Sequence, residues 1–490
     1  MRTSGILLHI SSLPSPGGIG SLGREAYAFA DFLHASGLRI WQVLPIGPVG
    51  YGESPYQSSS VFAGNPLLIS CRSLREEGLL DYEDAEEFTP DNPEVVDYDA
   101  VRQNKDMLLR RCFAQSRERL SDSVEQFRRD NPWVSDFALF TALKTHFSGL
   151  MYTAWPDEDI RRRKPEAVRK YTEMLRSEID FHIFCQYLFR TQWMALKRYC
   201  NERSIMLFGD MPIYVAEDSA DTWTHPEIFQ LDRNLIPKKV AGVPPDYFSA
   251  DGQLWGNPLY RWHRLRRRGY DWWVDRMRGM ASLFDIIRID HFIGFANYYS
   301  VKHGMPNARS GKWIVGPGKK LFQVLNRELP GIRIVAEDLG CVNDRVQKLL
   351  DWCGYPGMKV LTFGFDSDES NPHFIDHYTA NTVAYTGTHD NDTVRGWADK
   401  ASPEALAFAG KKLGFSTPEE APEAFIRALF ESPCDTVIVP MQDVLGLDGS
   451  SRMNFPGTTG GNWKWRMKPD ALSPELSLRY YTLNRQTNRR

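Results

Sequence analysis

What the chain lacks narrows its class before any motif is read. Its seven cysteines stand at 71, 112, 185, 200, 341, 353 and 434, an odd number with no C-x-x-C spacing. That scatter argues against a disulfide framework and a zinc site, and it favours a reducing compartment. No apolar run approaches the length of a membrane span, and the N-terminal run Ile6-Leu7-Leu8 is too short for a secretory signal. Neither sign of charge dominates, since 59 Lys and Arg face 62 Asp and Glu. A nucleic-acid polyanion is therefore not the expected partner. The basic runs at 161–164 and 264–268 read as solvated helix faces. Internal repeats and low-complexity tracts are also missing. A soluble, cytoplasmic protein without membrane or nucleic-acid partners is expected.

What the chain does have is a rhythm of short β-branched runs separated by helical stretches. The clearest runs fall at 38–45, 205–210, 284–290, 332–338, 358–363, 382–388 and 436–440, with a weaker one at 65–70. Strands alternating with helices build a parallel sheet, and eight of them close a (β/α)8 TIM barrel. A doubly wound open sheet is the rival α/β reading. The helix-patterned stretch at 71–204 has no flexible linker at its ends, so it reads as a helical insertion within one catalytic barrel spanning 1–490. The stretch at 218–280 begins with Pro, Gly, Asp and aromatics in place of periodicity, which marks an insertion carrying a long functional loop.

Four of the runs end in an acid: Asp210, Asp290, Glu337 and, just past the strand, Asp390. Strand C-termini of a parallel barrel open onto one face, where catalytic groups collect. Helix capping explains any single aspartate there; it does not explain four in register. Carboxyls without metal-ligand spacing suit glycosyl transfer, with one as nucleophile and another as proton donor and acceptor. Arg288 lies two residues before Asp290, hence on the same strand face, where its charge would favour the ionised form. Glu337 would need burial and neighbouring negative charge to stay protonated.

These residues resemble a known family. Arg288-Ile289-Asp290-His291-Phe292, Ala336-Glu337-Asp338-Leu339-Gly340 and Thr388-His389-Asp390-Asn391 resemble blocks of the α-amylase clan, and within it the amylomaltase or disproportionating-enzyme family of 4-α-glucanotransferases. The likeness continues through Leu8-His9-Ile10-Ser11-Ser12, Tyr51-Gly52-Glu53-Ser54-Pro55-Tyr56-Gln57, Gln253-Leu254-Trp255-Gly256-Asn257 and Arg452-Met453-Asn454-Phe455. It implies Asp290 as nucleophile, Glu337 as acid/base and Asp390 as transition-state stabiliser. It implies sugar contacts from Arg288, His291 and His389, with Ser54, Tyr56, Asp210, Gln253, Trp255 and Asn454 lining subsites. Tyr51, with Tyr98 as a further candidate, would belong to a second glucan-holding surface. The loop at 244–255 would cover the cleft. The activity implied is retaining transfer of α-1,4-glucan segments between malto-oligosaccharides, with no metal and no cofactor. Glu53 departs from the aspartate expected in its block.

Other readings fit less well. An α-amylase-like hydrolase would use the same three carboxyls, and a glucan-binding barrel without turnover would keep the subsites alone. A phosphate-binding barrel would need more than the glycines of Gly316-Pro317-Gly318-Lys319-Lys320. Gly18, Gly20 and Gly23 match a dinucleotide fingerprint but follow a seven-residue proline-containing loop and lack the later acid. His373 and His377 read as a surface pair, and Trp272 and Trp273 as core.

Overall fold

The computed structural model describes residues 2–81, 88–245, 249–340, 342–366, 368–458 and 460–489. Eight strands form one parallel sheet: β1 (Thr3–Leu7), β2 (Ile40–Gln42), β3 (Met206–Met211), β6 (Ile286–Ile289), β9 (Arg333–Ala336), β10 (Gly357–Val360), β11 (Thr382–Tyr385) and β12 (Thr436–Pro440). Their spatial order is β10-β11-β12-β1-β2-β3-β6-β9, and every neighbouring pair is parallel. The ends of this series meet through a hydrogen bond of 2.9 Å from the Ala336 N–H, on β9, to the Pro356 carbonyl beside β10. The sheet is therefore a closed α/β barrel. Its strands are short and buried almost throughout, as Ile286, Ile287, Arg288 and Ile289 illustrate. Sheets covered on both faces produce such unbroken apolar runs.

Two expectations about the strands need correction. The eighth strand is Thr3–Leu7, which the sequence reading passed over, and 65–70 is not a strand. Asn65 instead caps a 3-10 turn at Pro66–Leu68. The flanking backbone is paired by two buried glutamines. Gln186 bonds both the N–H and the carbonyl of Gly64 (2.8 and 2.9 Å), and Gln192 does the same for Ser70 (2.8 and 3.1 Å). Side-chain amides thus occupy the backbone groups a sheet would have used.

Both glutamines sit on the helix Arg176–Glu202, the spine of the helical stretch between β2 and β3. Helices Tyr98–Ser116, Ser121–Asp130 and Trp133–His146 pack on it, the first capped by Asp97, whose side chain accepts from the Ala100 N–H. Part of this stretch forms a separate aromatic core around Trp155 and Phe140, completed by Trp223 from beyond β3.

The irregular stretch after β3 holds structure that alternation of residue types had not revealed. β4 (Lys239–Val243), β5 (Gln253–Pro258), β7 (Asn297–Lys302) and β8 (Lys312–Val315) form an antiparallel sheet in the order β5-β4-β7-β8. It stands beside the C-terminal end of β6 and brings Gln253 and Trp255 to the barrel mouth. Residues 246–248 of the anticipated covering loop lie outside the described residues. The glycine fingerprint has a packing cause, since a Cβ on Gly20 would collide with the Ile10 carbonyl oxygen. Trp272 and Trp273 are core residues, 3% and 0% exposed. Among the described residues, no helix is long and apolar enough to cross a membrane.

Candidate active site

Strand register brings the acids together. Asp210 on β3 pairs with Arg288 on β6, and Ile289 on β6 pairs with Ala336 on β9. Asp290 and Glu337 are the next residues of these two strands. The Glu337 N–H bonds the Ile289 carbonyl at 3.0 Å, so the parallel ladder reaches the glutamate. Because side chains alternate along a strand, Arg288 and Asp290 face the same way.

Arg288 is the hinge of the cluster. Its Nη1 lies 2.6 Å from Asp210 Oδ2 and 3.0 Å from Asp290 Oδ1, and its Nε points to the Met358 sulfur at 3.4 Å. The guanidinium and Asp210 are almost wholly buried, whereas the Asp290 side chain keeps 27% of its surface open. Tyr56 donates its hydroxyl to the same Asp210 oxygen at 2.7 Å. Asp210 is therefore the fixed anchor that aims Arg288, and Asp290 is the acid left facing the opening.

Glu337 is buried, and both of its oxygens accept backbone N–H groups, from His291 at 2.7 Å and Leu339 at 2.6 Å. To make its bond, His291 adopts a left-handed backbone with φ 50°, a costly conformation outside glycine. Burial raises the Glu337 carboxyl to about 7, against the pull of Arg288 and the two N–H donors. Burial also pushes Asp290 well above the usual carboxylate range, opposed by Arg288 and reinforced by Asp210 and Glu337. Acids this close titrate as a pair. Arg288 touches Asp290 directly and solvent reaches it. Among the described residues no cation lies within ion-pair distance of Glu337. We therefore assign the shared proton to Glu337.

Asp390 approaches from the loop after β11. Its Oδ1 accepts from Asn454 Nδ2 at 2.6 Å and lies 3.4 Å from His389 Nε2, while Arg452 donates to its carbonyl at 2.6 Å. Nearly half of the side chain, 47%, is exposed. His389 stacks on Tyr56 with ring centres 5.1 Å apart, and burial lowers its basicity, so it is neutral near pH 7. His291, lowered to about 4 by burial, meets Trp255 edge-on at 4.8 Å. Gln253 takes the Trp255 indole N–H at 3.1 Å and fixes that ring.

Most expected site residues thus gather at one mouth: Asp210, Arg288, Asp290, His291, Glu337, His389, Asp390, Asn454, Tyr56, Gln253 and Trp255. Ser54 is nearby but spends its side chain on the Tyr56 N–H, which starts the next 3-10 turn. Tyr51 begins a turn of its own, and its side chain lies outside the described residues. Tyr98 is 6% exposed and donates to the Trp463 carbonyl at 2.9 Å, so it is no surface platform. Glu53 pairs with Arg102. The sequence reading missed Trp463, whose ring lies 5.9 Å from both Tyr56 and His389, and Tyr214, 6.3 Å from Trp255. The available signal was a tryptophan straight after the Gly460-Gly461-Asn462 turn. His373 accepts from the Val360 N–H at 3.2 Å, and no group of three possible metal ligands occurs among the described residues.

Convergent carboxyls, one arginine shared by two of them, and aromatic walls with neutral imidazoles are suited to holding a sugar and breaking its glycosidic bond. Fold and site together define a barrel enzyme of carbohydrate chemistry. The profile of the 4-alpha-glucanotransferase family matches residues 8–473, and the chain belongs to that family. A 4-alpha-glucanotransferase of Thermus thermophilus is 45% identical over 501 aligned residues, covering 100% of this chain and 99% of its own. One from Clostridium butyricum is 43% identical, covering 98% and 99%. The amylomaltase of Streptococcus agalactiae, solved in complex with acarbose, superposes with a TM-score of 0.97 at 40% identity over 100% of both chains.

Proposed function

We propose that the chain transfers α-1,4-glucan segments from one malto-oligosaccharide to another by a retaining double displacement through a glycosyl ester on Asp290. The observation that carries this reading is the division of one guanidinium between Asp210 and Asp290 at the end of β6. With Arg288 on Oδ1, the other Asp290 oxygen is left to attack the anomeric carbon. Glu337 gives its proton to the glycosidic oxygen, and the shortened glucan leaves with its hydroxyl restored. Glu337, now ionised, takes the proton of an acceptor 4-hydroxyl, which attacks the ester and frees Asp290. Acid, base and nucleophile are all carboxyls, so atoms and charge balance without a metal or organic cofactor.

Adjacent parallel strands lie about 4.8 Å apart. That spacing favours the roughly 5–5.5 Å carboxyl separation of retaining enzymes over the ~6.5–9.5 Å that leaves room for a water in inverting ones. Asp390, held by Asn454 and His389, would take the sugar's hydroxyls as the ring flattens. Arg288, His291, His389, Asp210 and Tyr56 would grip the same ring. Trp255, Gln253 and Trp463 would carry the neighbouring units, with aromatic faces on the apolar faces of glucose. An α-amylase-like hydrolase is the alternative, because water and a sugar hydroxyl compete for one ester. Aromatic cover over the ester favours the sugar. Incubation with maltotriose decides it: transfer yields glucose and a ladder of longer chains with the number of reducing ends unchanged. A rise in reducing ends would favour the hydrolase.

We place this work in the cytoplasm, on starch- or glycogen-derived maltodextrin. Cysteines without a disulfide at 112, 185, 200, 353 and 434 support a reducing compartment. Activity confined to a membrane or extracellular fraction would contradict it.

A further inference from the structure

A second concave site lies behind the small antiparallel sheet. Its walls include Tyr260, Trp262 and Tyr298, with Lys238, Arg261 and His263 around them, and the open groove they form has a volume of about 440 Å³. That is within the size range of small-ligand pockets, roughly 300–1,000 Å³. The site is separate from the catalytic mouth. Tyr260 stacks on Tyr214 at 6.2 Å, and Tyr214 lies 6.5 Å from His291, so two rings stand between the groove and the reacting centre.

The groove is built rather than incidental. Trp262 stacks on Trp273 at 5.8 Å and meets Tyr260 at 4.8 Å, which holds its ring and leaves it half-buried. Gln230 donates to the Tyr260 carbonyl at 3.0 Å, and Arg261 to the Leu231 carbonyl at 2.7 Å, so the amide and the guanidinium are both held in place. Lys238 and His263 are exposed, and among the described residues neither has an ion-pair partner. The Arg264–Arg268 run noted in the sequence continues from this rim.

The balance of charge separates this site from the catalytic one. Glucan hydroxyls at the barrel mouth meet four carboxyls as well as donors. Among the described residues, those lining the groove include no carboxylate; Lys238, Arg261 and the Gln230 amide stand there beside aromatic side chains, with His263 and Val315 at its edge. Cations without acids fit a ligand rich in acceptors, phosphate above all, and the rings fit the apolar face of a pyranose. We propose that this groove binds a pyranose bearing a phosphate monoester, with the ring against Trp262 and the phosphate at Lys238 and Arg261. The ligand would be either a free hexose phosphate or a phosphorylated unit within a glucan chain. The inference does not depend on the roles proposed for Asp290 and Glu337.

Calorimetric titration of the full chain tests it, with glucose 1-phosphate, glucose 6-phosphate and a phosphorylated maltodextrin as probes. Glucose, inorganic phosphate and AMP serve as controls. At least one phosphorylated sugar should bind with a Kd below about 1 mM. Glucose and inorganic phosphate should each bind at least tenfold more weakly. Lys238→Glu and His263→Glu, both at exposed positions, should weaken binding at least tenfold while leaving maltotriose transfer and thermal stability unchanged. Tight binding of the hexose phosphates assigns the free metabolite as ligand, and tight binding of the maltodextrin alone assigns the chain. The proposal fails if no phosphorylated sugar binds or if Lys238→Glu leaves affinity intact. It also fails if inorganic phosphate or AMP binds as well as the phosphorylated sugars.

Discussion

The two halves of the barrel mouth use buried acids for opposite ends. Past β12, Asp443 accepts from the Thr386 hydroxyl at 2.5 Å and the Val394 N–H at 2.7 Å. Both oxygens are spent on the loop that follows β11, and burial raises the group to about 6. Past β6 and β9, Asp290 and Glu337 are also raised by burial, yet they lie within the field of Arg288, and Asp290 is open to the cleft. Burial and a shifted pKa therefore do not mark the acids proposed to react. What sets Asp290 apart is a cation shared with Asp210 and a face left free for a ligand. Glu337, with both oxygens bonded like those of Asp443, is set apart by its place beside Asp290 at the end of the neighbouring strand.

The largest expected effect sharpens that contrast. Asp290→Asn should lower transfer by about 10⁴-fold or more, as removal of a covalent nucleophile does. Asp443→Asn should change it by less than tenfold while costing about 1–3 kcal/mol of stability through a lost acceptor. Rate assays with thermal melts check both, and a reversed ranking would break the comparison.

Glu337→Gln comes next, slowing transfer from natural donors by roughly 10²–10⁴-fold. Wild-type transfer should decline as pH rises through about 7, because the acid then loses its proton. The variant should show no such limb with an activated donor. Stability has a definite sign as well. A folded-state pKa raised from 4.5 to about 7 contributes fully below the unfolded value and is lost as pH rises through the folded one. The glutamine variant should therefore melt above wild type at about pH 8, by about 2 °C, and match it near pH 5. A gain that persists at low pH would contradict this origin.

Asn454→Ala unlatches Asp390 from the hydrogen bond of 2.6 Å that orients it. About a tenfold loss of kcat with little change in KM is expected, the pattern of an interaction made mainly in the transition state. The smallest effect belongs to Tyr98→Phe. Loss of its bond to the Trp463 carbonyl should cost about 0.5–1.5 kcal/mol of stability and leave glucan affinity unchanged.

Much of the barrel was legible because strand and helix alternation is written locally. Seven of the runs became strands, and three of them end in the acids at 210, 290 and 337 that register then aligned. Thr3–Leu7 escaped notice because Gly5 interrupts its apolar run; the glycine is needed where β1 approaches Ile40 too closely for a Cβ. The run at 65–70 misled because its partners, Gln186 and Gln192, lie 122 residues away. The small sheet was harder to see. β4 and β5 contain Gly242 and Gly256 and pair across an irregular register, which blurs their alternation. Within the site, block likeness found the polar groups. It did not find Trp463, whose place against His389 depends on the fold of a glycine-rich turn, and it overreached at Tyr98, whose burial only tertiary packing decides.

The central claim is covalent capture at the end of β6. Glu337→Gln with an activated maltosyl donor, followed by intact-mass and peptide analysis, tests it most directly. The account predicts a glycosyl adduct that accumulates on Asp290. An adduct on Glu337, Asp390 or Asp210, or none while product still forms, would contradict it.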